Sequence, residues 1–78
     1  MNLKEFTLLC EEILELDDGT LQLNTNLEEI EEWDSLAIMD ILSVCDTEFN
    51  TPFPVDVFRK AKTFQDIVDH INDFLKVG

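Results

Sequence analysis

The sequence predicts an all-α fold, a small four-helix bundle of three long helices and a short third one, with a long loop between the first and second. Three observations predict it. Apolar residues recur at three-and-four spacing in three separate stretches, no stretch alternates with period two, and the only prolines, Pro52 and Pro54, fall together between two of those stretches. The 78 residues, 45% of them apolar, read as a single domain spanning 1–78. A core of that size leaves a net stability of about 3 to 5 kcal/mol, with little room for unpaired buried polar groups.

In the first helix, Leu3 to Leu16, the core stripe is Leu3, Phe6, Leu9, Cys10, Ile13 and Leu16, while Lys4, Glu5, Glu11, Glu12 and Glu15 fall elsewhere. Asp17, Asp18 and Gly19 end it. Gln22 to Asn26 are turn-like, but Leu21, Leu23, Leu27 and Ile30 are expected to pin this long loop to the core. Asp34 is the predicted N-cap of a second helix running to about Phe49, and Asn50 to Pro54 close it because neither proline can continue a helix. Val55 to Lys60 makes the short helix. Thr63 and Asp66 read as a capping box with the shorter acid, and Phe64, Ile67, Val68, Ile71, Phe74 and Leu75 give the last helix the cleanest stripe. Cys10 and Cys45 sit on apolar faces of separate helices and are expected as buried, reduced thiols.

Eighteen acidic residues stand against five Lys plus Arg, a formal net charge of −13. Such a charge repels the phosphates of nucleic acid and of an anionic lipid surface, so neither is an expected partner, and a basic protein is the natural complement. No stretch approaches the ~20 apolar residues of a membrane span, and the amphipathic, acidic Met1 to Leu16 is unlike a secretory signal. The expectation is a cytoplasmic monomer with no membrane insertion.

Winding residues 35 to 49 at about 100° each puts Ile38, Ile41, Leu42, Cys45 and Phe49 on the core side of the second helix. Leu36, Ala37 and Val44 then fall on the opposite side, mixed with Asp40, Ser43 and Thr47. An apolar patch rimmed with acid is expected to be a docking face. Ser35 opens the same helix, where free backbone N–H groups and the positive end of the dipole favour a negative group such as a phosphodiester on its hydroxyl. Asp-Ser at a helix start is also ordinary capping chemistry, so the local feature leaves both readings open.

The arrangement as a whole resembles the acyl carrier protein family, with its peptidyl, aminoacyl and D-alanyl carrier relatives, over nearly all of the chain. Asp34, Ser35 and Leu36 match the family's Asp-Ser-Leu attachment motif, and the likeness continues through Phe49, Phe53-Pro54, and Thr63 with Asp66, Ile67 and Ile71. The resemblance implies that a phosphopantetheinyl transferase esterifies Ser35 with 4'-phosphopantetheine, whose thiol carries an acyl or aminoacyl group as a thioester. It also implies acyl- or aminoacyl-loading and condensing enzymes as partners, with basic docking surfaces for Asp40, Asp46 and Glu48 and apolar contacts for Leu36 and Val44. Asp34 is then both cap and contact. Two residues depart from the fatty-acid-synthesis pattern. Trp33 stands where those carriers usually have a small residue within a Gly-x-Asp-Ser run, and Trp-Asp-Ser looks more like stand-alone carriers of specialised pathways or the D-alanyl type. Ala37 stands where those carriers often have an acid. Trp33 is expected to anchor the loop on the bundle.

Other functions find less support in the residues. His70, the only histidine, lies on the flank of the last helix's stripe and has no nucleophile pattern beside it, and no Gly-rich phosphate loop is present, so the chain is read as no enzyme. In LDDGTLQLN, Gly19 cannot hold the sixth position of an EF-hand, because the first would be Leu14 and the twelfth Thr25. No metal site is expected, and the run Glu28, Glu29, Glu31, Glu32 reads as a solvated face. The alternative that shares every feature except the need for the hydroxyl is an unmodified acidic adaptor that binds a basic partner through the second helix.

Overall fold

A computed structural model describes residues 1–75, in which four α-helices follow one another: α1 (Leu3–Ile13), α2 (Ser35–Phe49), α3 (Val55–Lys60) and α4 (Phe64–Ile71). Single 3-10 turns occupy Leu27–Glu29 and Asn72–Phe74. The expected bundle is present, and an isolated antiparallel bridge pairs Asn26 with Thr63.

Each helix begins on a local signal. Asn2 caps α1 by accepting the Glu5 N–H at 2.8 Å, and Glu5 returns the bond to the Asn2 N–H at 3.1 Å. Asp34 caps α2 by accepting the Ala37 N–H at 3.0 Å. At α4 the Asp66 carboxylate accepts the N–H groups of Lys62 and Thr63 at 3.0 and 3.2 Å. Those bonds hold its carboxyl below the usual carboxylate range.

The ends are less regular than the apolar pattern implies. α1 stops at Ile13, one turn before Leu16, in a Schellman motif: Leu16 N–H donates to Glu11 O at 2.8 Å, Glu15 N–H to Glu12 O at 3.2 Å, and Glu15 sits at φ 59°. The turn brings Leu14, outside the expected stripe, to full burial, while Leu3 is exposed and Leu16 half-buried. α4 likewise gives way after Ile71 to the 3-10 turn, leaving Phe74 exposed and Leu75 half-buried.

Glu11 is the largest departure. Expected on the surface, it is 1% exposed, and its Oε2 accepts the Leu21 N–H at 2.9 Å. The bond fastens the start of the long loop to α1. The rest of the loop is fastened to the start of α4: Leu27 N–H donates to Lys62 O, while Phe64 and Gln65 N–H donate to Thr25 and Leu23 O. Leu21 and Leu27 are buried as expected, Ile30 is half-buried and Leu23 exposed. The loop therefore caps α4 with its own carbonyls, which satisfies N–H groups that a helix start leaves without partners.

The core joins all four helices through Phe6, Leu14, Ile41, Phe58, Phe64, Ile67 and Ile71. Phe6 of α1 stacks on Phe64 of α4 with ring centroids 5.9 Å apart. Cys10 and Cys45 are free thiols buried in the same core. Burial pushes the Cys45 thiol up to about 11, and burial, with Cys45 and Glu11 nearby, raises that of Cys10.

Candidate functional site

The site grows from the start of α2. Asp34 lies in an extended conformation before the helix, so its side chain folds back onto the Ala37 N–H and leaves Ser35 as the first helical residue, exposed to solvent. No carboxylate stands in the first turn after the cap. The dipole's positive end and an accessible hydroxyl therefore coincide, a setting that suits an attached phosphate. Trp33, half-buried and packed against the core, fixes the approach of the loop as expected, and its backbone N–H donates to Ile30 O at 3.1 Å.

Along α2 the outer side carries Leu36, 78% exposed, and Met39, 56% exposed, among exposed Asp40, Ser43, Asp46 and Thr47. The Thr47 hydroxyl donates to Ser43 O at 3.1 Å and so stays on the helix surface. Two expected members of this side differ. Ala37 is 7% exposed and belongs to the core, and Val44 is half-buried. Residues 37 and 44 are two turns apart on one flank, and there Val44 borders a groove against Leu9 and Ile13 of α1. The helical wheel placed both too far outward because it ignores the width of the helix packed beside them.

Met39 is the residue the sequence reading missed. With Leu42, Pro52, Phe53 and Val55 it lines an open groove of about 380 Å³ that starts one turn beyond Ser35. The signal was present in α2 itself, which carries apolar residues on more than one side. At the far end of this groove Phe53 meets Phe49 and Phe74 edge-on, Phe49 and Phe74 meet at a tilt, and exposed His70 sets its ring 5.9 Å from Phe53. Among the described residues no cluster of His, Cys, Asp or Glu is arranged to hold a metal ion, and no helix is long and apolar enough to cross a membrane.

A family model described as a phosphopantetheine attachment site matches residues 5–71. No curated protein matches the chain. The family match runs from the first turn of α1 to the last residue of α4 and so takes in the exposed start of α2 and the core beneath it. The chain therefore belongs to the phosphopantetheine attachment site family, that of the acyl carrier proteins, and is a carrier on which 4'-phosphopantetheine is covalently held.

Proposed function

We propose that Ser35 is the attachment residue and that the chain, as a single carrier domain over 1–78, works as a non-catalytic carrier of acyl or aminoacyl groups. The observation that carries this is the exposed Ser35 hydroxyl at the capped N-terminus of α2 within the matched residues. When attached, the arm supplies a terminal thiol that holds its cargo as a thioester.

The chain's own residues do three things. Asp34 holds the first turn in place by its bond to Ala37, so the hydroxyl is presented at a fixed point. The positive end of the helix dipole, with the N–H groups of that turn that Asp34 does not take, would lower the cost of a phosphate's charge on Ser35. Leu36, Met39, Asp40, Ser43, Val44, Asp46 and Thr47 form the surface that partner enzymes read, namely a phosphopantetheinyl transferase and loading and condensing enzymes with basic docking surfaces. The acids set the encounter rate and Leu36 with Met39 the apolar contact. A tether of this kind raises the local concentration of cargo at each partner's active site.

Ser35→Ala tests the proposal. Incubated with coenzyme A and a broad-specificity transferase, the variant takes up no arm, while its circular dichroism and melting temperature stay close to those of the parent. An acidic adaptor that needs no hydroxyl predicts the contrary in cells: Ser35→Ala complements a deletion as well as the parent does.

A further inference from the structure

Between α1 and α2 runs a groove of about 480 Å³ lined by Leu9, Glu12 and Ile13 of one helix and Asp40, Ser43 and Val44 of the other. Its floor is unusual for the faces that form it. Leu9 and Ile13 fall on the apolar stripe of α1, yet both are only half-buried, as is Val44. Its rim holds two exposed carboxylates from different helices, Glu12 and Asp40, and no Lys or Arg lines it. In a chain of net charge −13 these carboxylates add to a field that attracts a cation.

We infer that this groove receives one arginine side chain of the enzymes that act on the arm, its aliphatic stem on Leu9, Ile13 and Val44 and its guanidinium between Glu12 and Asp40. Arginine fits better than lysine or a bare metal ion. Its stem covers apolar surface while its head stays polar, and its planar fork presents several N–H donors to two carboxylates at once, whereas a compact, strongly hydrated cation leaves the apolar floor uncovered. The docking surface therefore extends from α2 onto α1, with Glu12 as a contact that the second helix alone does not supply. This inference rests on the carrier reading for its partner, though the groove itself can be probed without it.

The test has two arms. In the first, the ¹⁵N-labelled protein is titrated with n-butylguanidinium chloride, with potassium chloride and magnesium chloride at matched ionic strength as references. Saturable amide shifts confined to the neighbourhood of Glu12, Ile13 and Val44, lost in Glu12→Gln, are expected. Shifts spread over all acidic segments, or the same local shifts with magnesium, overturn the assignment. In the second, loading by the transferase is followed at low salt. Glu12→Gln and Asp40→Asn are each expected to raise KM about 2- to 5-fold with kcat unchanged, their double variant less than the product of the two, and distant Asp73→Asn to change nothing. An unchanged KM in Glu12→Gln overturns the partner. Failure of the parent to load at all sinks the carrier reading instead, and the first arm still decides the groove.

Discussion

Asp34 and Glu11 are both carboxylates that accept a backbone N–H, and the contrast between them shows what one residue contributes. Asp34 satisfies the Ala37 N–H three residues ahead. Asp34→Ala should lower stability by about 1 kcal/mol in urea unfolding, whereas Asp34→Asn, which keeps the acceptor, should cost only a few tenths. Equal losses in the two variants would show that charge, not the cap, matters there. Glu11 satisfies Leu21, ten residues away, from inside the core. Glu11→Ala leaves that N–H buried without a partner and should cost about 1–3 kcal/mol, with the amides of Leu21 and its neighbours losing protection from hydrogen exchange. An unchanged unfolding midpoint would contradict the staple. The first carboxylate was legible in the sequence because capping is a local code. The second was not, because its partner is reached only after the chain reverses at Glu15 and turns again at Gly19, φ 87°.

Helices and loops carry the next layer. α2 and α3 were legible to the residue, since Asp34, the two prolines and the apolar spacing all mark the same boundaries. α1 was read one turn too long because its Schellman ending places a glutamate, not the usual glycine, in the left-handed region. That position predicts a gain: Glu15→Gly should raise stability by roughly 0.5–1 kcal/mol, since it removes the left-handed strain. A lower melting temperature would mean that Glu15 makes a contact worth more than its strain. At α4 the pH dependence has a definite sign. Backbone bonds hold the Asp66 carboxyl below its ordinary value, so its contribution is complete above about pH 5, beyond the unfolded value of about 3.9, and fades as pH falls through the folded value. Asp66→Ala should therefore be less stable than the parent at pH 7 and converge with it in acid. A difference that persists at low pH would point to packing rather than to the charged cap.

For the whole molecule the governing quantity is charge. At −13 the bundle repels itself, so its melting temperature should rise as potassium chloride goes from about 0.02 to about 0.5 M. A flat or falling curve would mean that self-repulsion is not what limits stability. Site legibility was uneven at this scale. The exposed Ser35, Leu36, Asp40, Ser43, Asp46 and Thr47 could be placed from the period of one helix, but Ala37, Met39 and Val44 depend on where α1 and α3 lie. Burial of both cysteines, with Cys45 pushed up to about 11, leaves them almost wholly protonated near neutrality and shielded from reagents. In the arm-bearing protein the arm's thiol should thus be the one that reacts quickly. The central claim, that the hydroxyl at the start of α2 bears the arm, is tested most directly by intact mass spectrometry and peptide mapping of the parent protein after incubation with coenzyme A and a broad-specificity transferase. The account predicts one phosphopantetheinyl group per chain, on the peptide that contains Ser35. A group mapped to any other residue, or no group at all, would contradict it.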